Sequence, residues 1–309
     1  MRAFVLPHAG ADLPQLADVP PPAIADDELL VRVQAVGVGI HDSYFLPANA
    51  TYPYPIGIEA AGIIEGVGPL VSAHHRGDRV AFVSSMQPKG GTWAELVAVR
   101  ADSLIVAIPA TMGFVEAAAL PVAGNTALRA LQALGPAQGS LFIAGGSGAI
   151  GTLAVQLAVR QGWEVAASAS DTNHDYLRSL GAELAVDYRD PSWSARVLEW
   201  MPAGVDAAIA VPPSTSTGSL GVVRDGGHLI SISGDRLASE RGVTVQVVPH
   251  TGDVRDELGR LMADVAAGAV RVEIEQVLSF EDAGSALAKV STRHARGKIV
   301  LQLDPTSGH

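Results

Sequence analysis

A glycine-rich turn between a predicted strand and a predicted helix constrains this chain more than any other feature. Residues 141–144 form an apolar run typical of a buried strand, and residues 152–161 are amphipathic, as in a helix. Gly146, Gly148 and Gly151 lie between them in a GxGxxG pattern. In such a unit the glycines permit a tight turn, a close approach of backbone to pyrophosphate, and packing of helix on strand. The pattern predicts an α/β dinucleotide-binding unit, and a glycine-rich loop in a buried helical hairpin is the alternative.

The same region contains an uncharged stretch long enough to cross a bilayer. Residues 130–159 carry no charged side chain, and about 20 consecutive apolar residues suffice for a membrane span. Glycines and a proline divide this stretch into shorter pieces, however, and a strand covered on both faces also reads as a continuous apolar run. We therefore interpret the stretch as the core of a soluble protein.

The overall charge and the lack of cysteine exclude several classes of protein. The 309 residues carry a formal net charge of -11 with no run of five basic residues, which argues against nucleic-acid and anionic-membrane partners. Without cysteine, the chain forms no disulfide, no thiolate nucleophile and no sulfur-ligated metal site. The N-terminal residues lack a secretory signal pattern, so we expect a cytoplasmic protein.

The pattern of apolar residues changes near residue 113, which predicts two domains. Residues 1–112 contain short alternating or apolar runs separated by proline and glycine, as in a small antiparallel barrel. Strand-like and helix-like segments then alternate through residues 113–268, which predicts a doubly wound parallel sheet. The tail, residues 269–309, reads as strand, helix and strand. Its spacing leaves open whether it extends the parallel sheet or returns to the barrel.

Four short motifs add a resemblance that covers nearly the whole chain. They are GVGIHD at residues 37–42, PIGIEAAG at 55–62, AAALPVAGNTA at 117–127 and GKIVL at 297–301. In this order they resemble the medium-chain dehydrogenase/reductase superfamily, in particular its zinc-free NADPH:quinone oxidoreductase-like branch. The resemblance implies an α/β protein with a GroES-like β-barrel catalytic domain (residues 1–112, completed by 269–309) and a Rossmann NADP-binding domain (113–268). It also implies a homodimer, for which the uncharged residues 242–248 offer a sheet edge.

The resemblance bears on a catalytic zinc ion as well. In the alcohol dehydrogenase branch, a Cys, a His and a second Cys bind this metal, and the corresponding positions here are Gly39, Ile58 and Val122. None of these side chains has a donor atom, whereas zinc needs three or four nitrogen, sulfur or oxygen ligands. We therefore predict that the protein holds no metal.

Residues after the predicted second strand of the Rossmann domain bear on the choice between NAD and NADP. An NAD site usually has an acidic residue about 20 positions after the glycine motif, whereas a 2′-phosphate requires hydroxyl or cationic groups. Ser168 and Ser170 favour NADP, and the resemblance places Tyr188 near the adenosine phosphate. Asp171 favours NAD instead, and Asn173 stands where relatives often have a phosphate-binding lysine. The predicted NADP(H) site, with Thr126 included by resemblance, comprises Thr126, Gly146, Ser147, Gly148, Ala149, Ile150, Ser168, Ser170, Asn173 and Tyr188.

The resemblance implies hydride transfer from NADPH to a quinone or an α,β-unsaturated carbonyl compound. Such a small-molecule acceptor needs no metal, because its conjugated oxygen spreads the developing negative charge. A positioned hydrogen-bond donor would assist the reaction, and the candidate catalytic residues are Tyr44, Tyr52 and Asp42. A rigid surface turn equally explains each tyrosine, and a helix cap equally explains Asp42.

Two alternatives to this function stay open. One is enoyl-thioester reduction on the same scaffold, and the other is a non-catalytic NADPH-binding sensor or structural protein. Gly39 replaces an Asn that is usual in relatives, and Ala210 replaces a frequent Asp. Pro212 and Pro213 replace a glycine-containing turn and remove two backbone donors near the expected nicotinamide ribose. The missing Asn and the paired prolines keep the non-catalytic alternative open.

Overall fold

The computed structural model describes residues 1–84, 86–249 and 252–304, which divide into two compact units. The barrel unit comprises residues 1–122 together with the chain from residue 258 onward, and the nucleotide unit comprises residues 123–257. Both divisions fall within helices. The domain boundaries expected at residues 112 and 268 lie outside those helices and stay a prediction.

Strands and helices follow one another in the order expected for these two units. In chain order, the strands are β1 (Arg2–Leu6), β2 (Gln15–Asp18), β3 (Glu28–Val38), β4 (Tyr54–Pro55), β5 (Glu59–Val67), β6 (Arg79–Val83), β7 (Leu96–Arg100), β8 (Ile105–Ala107), β9 (Ser140–Ala144), β10 (Glu164–Ala169), β11 (Leu184–Asp187), β12 (Val205–Ala210), β13 (Val223–Ser231), β14 (Thr244–Val247), β15 (Ile274–Ser279) and β16 (Lys298–Gln302). The α-helices are α1 (Phe114–Ala118), α2 (Pro121–Leu134), α3 (Ala149–Gln161), α4 (His174–Ser179), α5 (Trp193–Trp200), α6 (Ser216–Val222), α7 (Arg255–Ala266) and α8 (Ala283–Ser291).

The barrel unit is built around β3, which pairs with β5, β7 and β16. Leu29, Val31 and Val33 of this strand are buried while the residues between them are partly exposed, as the two-residue period of a strand requires. The sheet runs β15-β16-β3-β5-β6-β8, and a smaller sheet runs β2-β1-β4. The tail therefore returns to the barrel, as the resemblance implied, with Ile299 opposite Val38 in antiparallel register.

The nucleotide unit contains a parallel six-stranded sheet in the order β11-β10-β9-β12-β13-β14. Every residue of β9 is buried, because helices cover a parallel sheet on both faces, and this explains the apolar run at residues 141–144. The strand order reverses between β9 and β12. In open α/β sheets the crevice at such a reversal, outside the carboxyl ends of the strands, is where ligands bind.

The long uncharged stretch is divided among the fully buried strand β9 and the helices α2 and α3, each of which is only partly buried. In the part of the chain that the structure describes, no helix is long and apolar enough to cross a membrane. Helix α6 has no counterpart in the pattern analysis, because its sequence, STGSLGV, is rich in residues of low helix propensity. Its formation depends on tertiary packing, since Ser219 and Leu220 are buried.

Candidate functional site

The glycine turn after β9 is shaped by close packing on both sides. Gly145 has a φ of +77°, and a Cβ atom there would lie 2.7 Å from Pro212 Cδ. A Cβ atom on Gly146 would lie 2.8 Å from Ala167 Cβ and 2.9 Å from Leu177 Cδ2. The tight turn therefore requires Gly145 rather than Gly146, which corrects the interpretation from the GxGxxG pattern. Gly146 is needed because the turn packs directly on β10 and α4.

The second and third glycines have the environments that the pattern predicts. A Cβ atom on Gly151 would overlap the carbonyl oxygen of Gly145, so helix α3 packs tightly against the turn. A Cβ atom on Gly148, in contrast, would have a single neighbour within 4 Å, the Gly145 carbonyl oxygen at 3.6 Å. The turn is therefore open at Gly148, and residues 147–150 are all partly exposed.

Helix α3 begins at this open turn without a side-chain cap. Its N-cap residue is Gly148, which provides no side-chain cap, and the first turn contains no acidic residue. The first amide groups of a helix lack carbonyl partners within the helix, and the aligned peptide dipoles make this end positive. Uncapped amides at a positive helix end bind phosphate groups well. The residues at positions 146–150 therefore fit a dinucleotide pyrophosphate.

Two serines predicted to contact the 2′-phosphate occupy different surroundings. Ser168 is buried, its Oγ accepts a hydrogen bond from Gly145 N at 3.2 Å, and its carbonyl accepts one from Gly146 N at 2.8 Å. These bonds tie β10 to the glycine turn, which gives Ser168 a structural role. Ser170 is partly exposed, and its Oγ accepts a hydrogen bond from Asn173 Nδ2 at 2.9 Å. Ser170 and Asn173 thus lie together at the exposed end of β10.

Tyr188 follows β11 and is exposed, and the residue after it makes contacts that pattern analysis missed. Arg189 Nε donates to Asp187 Oδ1 at 3.0 Å, and Arg189 Nη2 donates to Asp187 Oδ2 at 2.8 Å. The same Nη2 lies 2.7 Å from Asp171 Oδ1. The hydrogen bonds from Arg189 lower the pKa of Asp187 to about 2. The sequence shows these charges, but only the adjacent strands bring Asp171 and Arg189 together.

Thr126 lies in the first half of α2 and is partly exposed. Beyond the paired prolines, Ser214 N and Ser216 N lie 3.2 and 3.3 Å from the carboxylate oxygens of Asp235. Two of the backbone amides that follow the prolines are therefore engaged by a carboxylate. This arrangement was not foreseen, because Asp235 lies beyond β13.

In the barrel unit, Asp42 is 2% exposed and closes a turn. Its Oδ2 accepts hydrogen bonds from Gly39 N at 2.9 Å and from Trp93 Nε1 at 3.0 Å. Burial raises the pKa of Asp42 to about 7, although these bonds favour the ionised form. Asp42 therefore supports the turn that carries His41 and Tyr44, and its burial does not favour direct contact with an acceptor. It also begins no helix, so the helix-cap alternative is wrong.

A second buried carboxylate in this unit forms an ion pair. Glu59 is 1% exposed, its Oε1 pairs with Lys298 Nζ, and its Oε2 accepts a hydrogen bond from Val122 N at 2.7 Å. Burial raises the pKa of Glu59 against the opposing attraction of the Lys298 ammonium group. Pattern analysis missed this pair, because its members are 239 positions apart in the chain.

Tyr44 presents its hydroxyl group on the surface beside a histidine. The Tyr44 side chain is among the exposed large residues, at 54%, and its hydroxyl group shares a hydrogen bond with His41 Nδ1. The His41 ring stacks on Phe45 with a centroid distance of 4.8 Å. Burial, together with Arg293, lowers the pKa of His41, and burial raises the pKa of Tyr44. Both groups are therefore neutral near pH 7.

Tyr52 has a different environment. It lines a surface recess between proline-rich segments, together with Pro20, Pro53 and Lys89. Tyr44 is not among the residues that line this recess. Of the two candidate tyrosines, Tyr44 forms a hydrogen bond with an ionisable side chain, that of His41. Among the described residues, no hydrogen bond involves the Tyr52 hydroxyl group.

The donor atoms near the zinc-equivalent positions do not fit a zinc ion. Gly39, Ile58 and Val122 carry no donor side chain, and the nearby carboxylates of Asp42 and Glu59 are engaged by the contacts described above. Within residues 1–84, 86–249 and 252–304, no three His, Asp or Glu side chains are grouped so that they could hold a metal. These positions therefore offer too few ligands for the three or four that a zinc ion requires.

Family models match both units. A model described as an alcohol dehydrogenase GroES-like domain matches residues 25–110, and one described as a zinc-binding dehydrogenase matches residues 180–301. An NADPH-dependent alkenal/one oxidoreductase of Arabidopsis thaliana is 30% identical over 97% of this chain and 79% of its own length. A trans-enoyl reductase of Pyrenochaetopsis sp is 34% identical over 67% of this chain and 62% of its own length.

The fold is shared with solved structures along almost the whole chain. The quinone oxidoreductase from Coxiella burnetii superposes with a TM-score of 0.89 at 26% identity, covering 98% of this chain and 99% of that one. The sequence comparisons and the structure comparison thus both identify oxidoreductases as the proteins that this chain resembles.

Proposed function

Because this chain belongs to the medium-chain dehydrogenase/reductase superfamily, in its NADPH:quinone oxidoreductase-like branch, we propose that it reduces quinones or α,β-unsaturated carbonyl compounds with NADPH. The observation that carries the proposal is the open glycine turn, which leads into an uncapped helix in a unit that otherwise packs closely. The similarity to an alkenal/one oxidoreductase and to a quinone oxidoreductase supports this acceptor class.

The nucleotide unit would bind the cofactor mainly through its backbone. The amides at Ala149 and Ile150 would hold the pyrophosphate, with Gly146, Ser147 and Gly148 shaping the turn, since Gly148 N itself donates to Gly145 O at 3.2 Å. Thr126 would line the nicotinamide pocket, and Ser170, Asn173 and Tyr188 would line the adenosine end, with Ser168 supporting the turn. When bound, the reduced nicotinamide supplies the hydride, so the chain itself must orient the reactants and manage the proton.

We assign to Tyr44 the role of proton donor to the acceptor. Asp42 would hold the turn that carries Tyr44. Addition of a hydride to the electron-poor carbon of an enone leaves an enolate, which must take up one proton. The neutral Tyr44 phenol can donate that proton and regain one from His41 Nδ1, while His41 Nε2 takes up a proton from water in the same step, so that the imidazole stays neutral. The Tyr52 hydroxyl group forms no such hydrogen bond among the described residues, and Lys89 in the same recess is paired with Glu28.

The direct test uses purified protein, NADPH, and a panel of quinones, enones and enoyl thioesters. Loss of NADPH absorbance with at least one quinone or enone is expected. Turnover of enoyl thioesters alone would favour the second function, which the 34% identity to a trans-enoyl reductase supports. NADPH binding without turnover of any acceptor would contradict both and favour a sensor.

The assignment of the proton donor is tested by two matched substitutions. A general acid contributes about 100-fold or more to a rate, so Tyr44→Phe is expected to lower kcat with an enone by about 100-fold. Tyr52→Phe removes the same hydroxyl group from the proline-rich recess and is expected to leave kcat within about twofold. Equal losses in both variants, or a loss only in Tyr52→Phe, would overturn the assignment to Tyr44.

Two further expectations complete the proposal. The edge strand β14 has no sheet partner on its outer side among the described strands, and it would pair with a second copy to form a homodimer. The protein would act in the cytoplasm on small molecules. The mass in solution and the distribution in fractionated cells test these two statements.

A further inference from the structure

The strongest unassigned feature of the nucleotide unit is the cluster of Asp171, Asp187 and Arg189 beside the predicted adenosine end. The strands that carry it are adjacent and parallel, with Ala144 of β9 opposite Ser168 of β10, and Ala169 of β10 opposite Asp187 of β11. The carboxyl ends of these strands therefore lie at one edge of the sheet. In a Rossmann unit this edge, at the end of the second strand, receives the adenosine ribose and its 2′-substituent.

The Arg189 guanidinium group is held mainly by Asp187. Its Nε and Nη2 atoms form a two-bond clamp with Asp187, which is the less exposed partner at 18%, against 53% for Arg189. Among the described residues, no hydrogen bond occupies Nη1 of Arg189. A planar guanidinium group fixed in this way can still offer donors to a phosphate, and its geometry suits such a group better than a lysine does.

Asp171 competes for the same guanidinium group. Its Oδ1 lies 2.7 Å from Arg189 Nη2, and its side chain is 67% exposed. A 2′-phosphate carries about one and a half to two negative charges near neutral pH, so it is repelled by Asp171 while it is attracted by Arg189. A ribose 2′-hydroxyl group, in contrast, can donate a hydrogen bond to Asp171. The two residues therefore act on the cofactor choice with opposite sign.

We propose that Arg189 recognises the 2′-phosphate of NADP(H) and that Asp171, by sharing this guanidinium group, limits the preference for NADP(H) over NAD(H). The inference rests on the proposed nicotinamide cofactor but not on any acceptor. Arg189 would provide the positive charge that relatives often have at the position of Asn173. The opposing effects of Arg189 and Asp171 would also explain why the sequence contains features of both NADP and NAD sites.

Two substitutions with opposite expected effects test the proposal by calorimetry with NADPH and NADH. Arg189→Gln is expected to weaken NADPH binding by about 10- to 100-fold, the range for a lost charged hydrogen bond, and to leave NADH binding within about twofold. Asp171→Asn is expected to strengthen NADPH binding by about three- to tenfold and to weaken NADH binding. A variant that has lost its fold cannot gain affinity, so the second variant keeps the test independent of folding defects.

A control variant and a simpler probe complete the design. Arg178→Gln removes an equally exposed arginine from α4 of the same unit, where it pairs with Asp175, and is expected to change neither affinity. Adenosine 2′,5′-bisphosphate and adenosine 5′-monophosphate repeat the comparison without a nicotinamide group. An Arg189-dependent preference for the bisphosphate supports the proposal even if no acceptor is turned over. An unchanged NADPH to NADH ratio in Arg189→Gln, or an equal effect of Arg178→Gln, would overturn it while leaving the reductase function intact.

Discussion

The two units of this protein differ in whether their main polar and charged groups are buried or exposed. The barrel unit buries Asp42 and the Glu59–Lys298 pair in its interior. The nucleotide unit instead presents uncapped amides and the Arg189 guanidinium group at its surface. Buried ionisable groups need an ion-pair partner or hydrogen bonds, because water cannot solvate them, whereas exposed groups stay available to a ligand. We therefore expect substitutions of these groups to change the stability of the barrel unit and, in the nucleotide unit, the affinity for the proposed cofactor.

The largest effect is expected from breaking the buried pair. Lys298→Met leaves the Glu59 carboxylate buried without its partner, which should lower the free energy of unfolding by about 3–5 kcal/mol. The matched change in the nucleotide unit, Arg178→Met, breaks an exposed pair and should cost less than about 1 kcal/mol. Denaturant unfolding measures both values.

A second variant separates an unpaired charge from lost packing. Adding Glu59→Gln to Lys298→Met removes the unpaired charge, so much of the lost stability should return. Similar losses from Lys298→Met and Arg178→Met would show that the two units do not differ in this respect.

The pH dependence of stability is expected to have opposite signs in the two units. The pKa of Asp42 rises from an ordinary value near 4 to about 7, so the folded protein binds a proton that the unfolded chain has released between these pH values. Stability therefore falls as the pH rises from about 4 to about 7, by up to about 4 kcal/mol at 1.4 kcal/mol for each pKa unit. Asp42→Asn should remove this slope.

Asp187 in the nucleotide unit should behave in the reverse way. Its pKa is lowered to about 2, so its ionised form contributes stability above about pH 4 that is lost as the pH falls toward 2. Asp187→Asn should flatten the acid side of the stability profile only. Unfolding profiles of the two variants that change over the same pH range would contradict the comparison.

A smaller effect, on affinity rather than stability, is expected at the uncapped helix. Ala149→Glu places a carboxylate where the pyrophosphate would bind and should weaken NADPH binding by about tenfold or more, or about 1.4 kcal/mol. An acidic residue in the first turn suits the helix dipole, so thermal stability should not fall. Ala149→Gln has the same size without the charge and should weaken binding less. Equal losses in both variants would point to a steric effect.

The sequence predicted those parts of the molecule that depend on local patterns. The strand before the glycine turn, the helix after it and the parallel sheet follow from apolar periodicity and glycine spacing, and the structure confirms them. The role of Gly145 was missed, because its positive φ is set by packing against Pro212 from another loop. The Glu59–Lys298 and Asp171–Arg189 pairs could not be foreseen, because strand pairing between distant segments creates them.

The position of β16 in the sheet affects the order in which the two units can fold during synthesis. This strand lies between β15 and β3, so the first sheet built from the N-terminal residues cannot be completed until the last segments have been synthesised. Residues 123–257, in contrast, are contiguous. Since domains generally fold as units during synthesis, the nascent nucleotide unit can acquire its structure while strand β3 of the barrel still lacks β16 on one side.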